Sequence, residues 1–174
     1  MVERFEPQPG EAWAYRARRV DDLVAVEVMK TGTQVLERFA AEKVNRHGPS
    51  ARRTAYERLS AELKRQRKAL SASDFAAFLD SDRSFHSVTV EDAGNSIING
   101  FYTSLRERQM RMIGESAIRE PQRTSTIIAQ HRDIAEAVRE GDVAQAVKAV
   151  KIHHASTLRA LGVAADDSLP WQED

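Results

Sequence analysis

The sequence predicts an all-α fold, an antiparallel bundle of about six helices, and three observations lead there. Apolar residues recur at three- and four-residue spacing through every long segment, and no segment alternates convincingly as a strand. Gly, Pro, Asn and Asp fall between these segments in short clusters, so the connections are tight. Hydrophobic residues make up 41% and charged residues 30% of 174 residues, with 8 Gly and 5 Pro, which fits one soluble helical domain.

Residues 1–10 carry two prolines and a glycine without periodicity and read as a flexible lead-in. The first helix is expected from Asp21 to about Arg46, where Leu23, Val28, Val35, Leu36, Phe39, Ala40 and Val44 keep helical spacing until His47-Gly48-Pro49-Ser50 stops it. A second helix runs from about Ser50 to Leu70 with Tyr56, Leu59 and Leu63 on one face. Ser71-Ala72-Ser73-Asp74 offers N-caps for a third, from about Asp74 to Glu91. Gly94-Asn95 ends that helix and starts a fourth, roughly Ser96 to Arg119. Pro121 separates it from a fifth, from about Thr126 to Glu140, and Gly141-Asp142 turns directly into a sixth, Val143 to about Leu161. The folded domain is thus expected over residues 11–162, with a patternless tail at 163–174.

Composition excludes several functions. Cysteine is absent, which removes disulfides, thiolate metal sites and thiol nucleophiles and leaves His and carboxylate as the only strong metal donors. Lys plus Arg equals Asp plus Glu at 26 each, so no global field draws the chain to nucleic acid. The basic clusters at Arg16 to Arg19, Lys64 to Lys68 and Arg106 to Arg111 read as solvated helix faces. No run approaches the roughly 20 apolar residues of a membrane span, and the start is unlike a signal peptide, so a cytoplasmic location is expected.

Polar residues interrupt the apolar stripes at particular places. On helix three, Phe75, Phe78, Leu79, Asp82, Phe85 and His86 share one arc, so a carboxylate stands in an apolar stripe with an imidazole one turn away. Burying an unpaired Asp is costly, and Asp82 and His86 can reach one point. On helix five His131 stands among Ile127, Ile134 and Val138. On helix six the strongest stripe is Val143, Val147, Val150, His154, Leu158 and Leu161, which favours His154 as the inward residue, with His153 on a flank of Ala146, Ala149 and Thr157. A lone core histidine is more often hydrogen-bonded to backbone than a ligand. Three inward histidines and an Asp on three helices of one bundle instead fit a metal centre, so the bundle is expected to enclose a metal or ligand cavity.

The run DSDRSFHSVTVEDAGNSII resembles the D-x-x-F-H-x(n)-G-N segment of the FadR C-terminal domain (FCD), the effector-binding half of many GntR-family transcription regulators. QHRDIAEAVREGDVAQAVKAVKIHH resembles that family's second signature, a His, then Ala-x(3)-Gly-Asp, then Ala-x(6)-His. The likeness spans about Val20 to Leu161. It implies metal ligation by Asp82, His86, His131 and His153, the Ala-Gly-Asp register selecting His153 over His154. It also implies one divalent transition metal, zinc or nickel, and a homodimer; open positions on such a metal would suit a small organic-acid effector, a carboxylate or hydroxy acid, and no enzymatic activity is expected. Arg106 and Arg38 are the candidate counter-charges for the effector, although Arg38 is also spaced to pair with Glu42. His154 then becomes a core residue and His47 an exposed turn residue. Family members carry an N-terminal winged helix-turn-helix, and the residues before Asp21 are too few to form one, so DNA contact is expected only through a domain outside this sequence. A third reading is a metal-free helical interaction module whose polar core residues only hydrogen-bond, and a metal with open positions also describes a hydrolase or oxygenase site, the rival reading. No HExxH motif, phosphate loop or serine nucleophile elbow supports it.

Overall fold

Six helices account for nearly all of the chain described by the computed structural model, which covers residues 32–119 and 121–160, with side chains described for all but 108–119, 121, 122 and 160. They are α1 Gln34–Asn45, α2 Pro49–Ser71, α3 Phe75–Asp92, α4 Ser96–Arg119, α5 Pro121–Glu140 and α6 Val143–Ala160. No strand occurs among the described residues, and none of the helices is long and apolar enough to cross a membrane. The expected lead-in, the tail and the first half of helix one lie outside the described residues.

Local chemistry sets the boundaries. Pro49 occupies the first turn of α2, where a missing N–H costs nothing. The Asp74 carboxylate caps α3 by accepting from the Ala77 amide, Asn95 Oδ1 accepts from the amides of Ile97 and Ile98, and the Asp142 carboxylate accepts from Gln145. Helix α5 starts at Pro121, five residues before the expected Thr126. Proline is pre-shaped for a first helical turn and begins this helix rather than only separating it from α4.

The helices pack in a closed ring: α1 lies on α3, α3 on α2, α2 on α5, α5 on α6 and α6 back on α1, while α4 covers α3 and touches α5. Leu59, Phe78, Phe85, Ile134, Val138 and Val150 fill much of the apolar core. Helix α1 turns a different face inward from the one its largest apolar residues mark. Glu37, Ala40, Ala41 and Val44 are buried, whereas Val35 and Phe39 are 43% and 40% exposed. The face that α1 turns to α3 and α6 carries mostly small side chains, which permit close packing.

Three turns among the described residues use left-handed backbone, at Ser73, Gly94 and Gly141. Gly141 has φ +74° and packs under the Arg52 guanidinium, which itself donates to the carbonyl of His47. Ser73, at φ +53°, closes α2 through Asp74 N–H donating to Ala69 O, and its Cβ makes that conformation unfavourable. Gly141→Ala is therefore expected to cost about 1–2 kcal/mol and Ser73→Gly to add up to about 1 kcal/mol in urea unfolding. The same sign of change in both variants would contradict this account of the turns.

Candidate metal centre

Each of the six helices sends at least one polar side chain into the middle of the bundle. Glu37 comes from α1, Gln66 from α2, Asp82 and His86 from α3, Tyr102 and Arg106 from α4, His131 from α5, and His153 and His154 from α6; all are buried. Helical spacing accounts for their convergence. Gln66 continues the Leu59–Leu63 stripe of α2, His131 lies one turn from Ile127 and from Ala135 on α5, and Glu37 lies one turn before Ala40 and Ala41.

His86, His131 and His153 each offer a ring nitrogen within 4.8 Å of the others, and their ring centroids form a nearly regular triangle with sides of 4.7, 4.8 and 4.9 Å. Every one of these rings is held from behind through Nδ1. His86 Nδ1–H donates to Glu37 Oε2 at 2.9 Å, His131 Nδ1–H to Gln66 Oε1 at 3.0 Å and His153 Nδ1–H to Gln130 Oε1 at 3.1 Å. Phe85 stacks on His131 at 4.2 Å and fixes the plane of that ring.

This pattern leaves each Nε2 as a bare lone pair. His86 Nε2 and His131 Nε2 lie 3.1 Å apart, so two lone pairs face each other inside a buried site. A proton between them would require one ring either to change tautomer and give up its Nδ1–H bond or to become a buried imidazolium. A cation between them needs no such change. Metal–nitrogen bonds of about 2.0–2.1 Å place neighbouring nitrogens roughly 3–3.4 Å apart, which matches the observed gap. Outward Nδ1–H bonds are the usual way in which a protein fixes histidine ligands.

Asp82 borders the triad. Its Oδ1 lies 3.7 Å from His131 Nε2, and its Oδ2 accepts from Arg106 Nη2, a fully buried guanidinium. Glu37 is the other buried carboxylate. Its Oε2 accepts from both His86 Nδ1–H and His154 Nε2–H, at 2.9 and 3.0 Å, and its Oε1 accepts from Tyr102 at 2.7 Å. Burial alone would raise the Glu37 carboxyl, but His86 and His154 outweigh it and hold the group well below the usual carboxylate range.

A family comparison accords with this geometry. The FCD domain model matches residues 33–156, most of the chain. The chain belongs to the FCD family. FCD domains are the effector-binding, regulatory ligand-binding domains of GntR-type regulators. No match was found among curated proteins.

Within this FCD domain the structure brings together His86, His131 and His153, with Asp82 and Arg106 at their edge. Both His153 and His154 are buried, since Ala146 and Ala149 face inward while Val143 and Val147 are only partly covered. His154 turns its Nε2 to Glu37, on the outer side of the triad. Arg38 is not brought to the site: it is half-exposed beside Val35 and Phe39, and its Nε donates to Glu42 at 3.3 Å. His47 is half-buried in the turn after α1.

Glu37, Gln66 and Gln130 were not recognised from the sequence as partners of the histidines. Gln66 carried a usable signal, an amide in register with Leu59 and Leu63. Glu37 was masked by the larger residues beside it.

Burial lowers the pKa of His131 and His153 well below the ordinary 6.5, with His153 and His86 adding to the effect on His131, and His86 and His154 on His153. Below pH 6.5 the unfolded chain takes up protons that the folded chain refuses, so the stability from these rings is complete above that value and is lost as pH falls toward their lowered values. Glu37 acts in the same direction in a lower window, below its ordinary 4.5. Metal-stripped protein is expected to melt at a constant temperature above about pH 7 and at progressively lower temperatures below about pH 6.5. A melting temperature that rises on acidification through this range would contradict the neutral state of the two rings.

Proposed function

We propose that this chain is a metal-dependent sensing domain for a small carboxylate or hydroxy acid in a GntR-type transcription regulator. The observation that carries the reading is the set of three buried imidazoles whose Nδ1 atoms are all engaged outward, with the Nε2 atoms of His86 and His131 3.1 Å apart and a ring nitrogen of His153 within 4.8 Å of the other two residues'. His86, His131 and His153 would hold the metal, with Asp82 as the fourth protein ligand. Three imidazoles and a carboxylate suit zinc or nickel. When bound, the metal supplies a Lewis-acidic position for a ligand oxygen.

Charge supports an anionic effector. Among the described residues the Arg106 guanidinium is buried beside Asp82, the candidate fourth ligand. A divalent cation held next to this guanidinium would favour a ligand that carries negative charge, since a buried surplus of charge is costly. Arg106, rather than Arg38, is the cation in reach. It also borders a hollow of about 520 Å³ that opens to solvent between α2, α3 and α4, lined by Arg58 and Arg83 and by Glu62, Glu91 and Glu107. DNA would be contacted through a winged-helix domain rather than through these helices.

Purified protein is expected to hold about one zinc or nickel ion per chain by elemental analysis, and His131→Ala to remove it, whereas His47→Ala keeps it. Stoichiometric metal in His131→Ala would refute the ligand set. In a thermal-shift screen, a cognate organic acid at 100 times its dissociation constant is expected to add about 2.7 kcal/mol to the metal-loaded protein and nothing to the stripped protein. An acid that stabilises both forms equally would place the effector site elsewhere.

A further inference from the structure

The triad's ligands come from α3, α5 and α6, and Asp82 from α3, so α1 supplies none of the candidate donors. Yet α1 buries a carboxylate at the centre. Glu37 is 3% exposed and receives hydrogen bonds from three other helices: His86 on α3, Tyr102 on α4 and His154 on α6. The Arg106 guanidinium acts on its carboxylate electrostatically, and three hydrogen-bond donors, two of them imidazoles and one a phenol, meet it directly. Two of them share the single oxygen Oε2, so a shift of the His86 ring alters the bond to His154 as well.

From this hub we infer that Glu37 is the positioning residue that makes α1 respond to metal occupancy. Its acceptance from His86 Nδ1–H fixes the tautomer that turns His86 Nε2 toward His131. A cation drawing on Nε2 makes the Nδ1 proton a stronger donor and tightens the bond to Glu37. Glu37 stands at the start of α1, one turn before Ala40 and Ala41, which seat that helix in the bundle. Tightening at Glu37 therefore holds α1 more firmly against α3 and α6. Without the carboxylate, the metal would order α3, α5 and α6 and leave α1 indifferent.

This inference rests on the metal reading above, and the experiment separates the two. Amide hydrogen exchange of the full chain is compared with and without Zn²⁺ in the wild type, in Glu37→Gln and in Glu37→Asp. In the wild type, Zn²⁺ is expected to slow exchange in α1 as well as in α3, α5 and α6. Glu37→Gln keeps the shape but loses the charge, and Glu37→Asp keeps the charge but withdraws it from His86 and His154. Each is expected to bind Zn²⁺ about 10–100-fold more weakly and, at saturating Zn²⁺, to lose the protection of α1 while keeping that of α3, α5 and α6. No Zn²⁺-dependent protection anywhere in the wild type would overturn the metal reading. Protection of the three ligand helices without α1 in the wild type, or protection of α1 retained in either folded variant, would overturn the role of Glu37 and leave the metal reading standing.

Discussion

The rest of the site depends on one constraint, that each imidazole of the triad spends its Nδ1 proton on a partner behind it. Glu37, Gln66 and Gln130 are those partners, and they sit on α1, α2 and α5. Buried polar groups without partners cost of the order of a few kcal/mol each, so the three helices that carry the rings and the helices that carry the acceptors are fixed together. Phe85, stacked on His131, and the small Ala146 and Ala149 around His153 then set how closely the rings approach. The triangle of ring centroids is a consequence of this support.

Much of the fold was legible because its signals are local. Asp74, Asn95 and Asp142 each cap the helix that the sequence assigned to them, and Gly141 has the left-handed conformation expected at the α5–α6 corner. The start of α5 was not, because a proline after a helix reads equally as a stop and as a first turn, and only packing distinguishes the two. The inward face of α1 was misleading for a related reason. Hydrophobic periodicity weights residues by size, and Val35 and Phe39 outweigh Ala40 and Ala41 in that reading. The helix instead buries Ala40, Ala41 and the hydrogen-bonded Glu37 carboxylate, which apolar spacing does not mark.

The centre itself was partly legible. Asp82, His86 and His131 announced themselves as polar residues inside apolar stripes, and burial of all three agrees with that pattern. The choice between His153 and His154 was beyond periodicity, because α6 buries both, one toward His86 and His131 and the other toward Glu37. It took the register of the family signature to separate them. Gln130 and Gln66 escaped notice for a different reason: an amide is a common surface residue, and its role appears only when the Nδ1 it accepts from is known.

A purely apolar centre of similar volume would hold these helices at least as well, since burying charge and amide carries a desolvation cost that pairing only partly offsets. Signs of that cost remain. Gln66 Nε2 and His154 Nδ1 are buried without hydrogen-bond partners among the described residues. What the polar centre provides instead is linkage. Anything that binds the folded chain and not the unfolded one adds to stability by mass action. Here the candidate ligands and their supports come from all six helices, so the free energy of an ion bound there would act on the packing of the whole bundle. A site confined to one surface loop would stabilise that loop and leave the bundle's packing unchanged. A ligand at the centre of such a bundle would couple its occupancy to the helix arrangement in a single equilibrium.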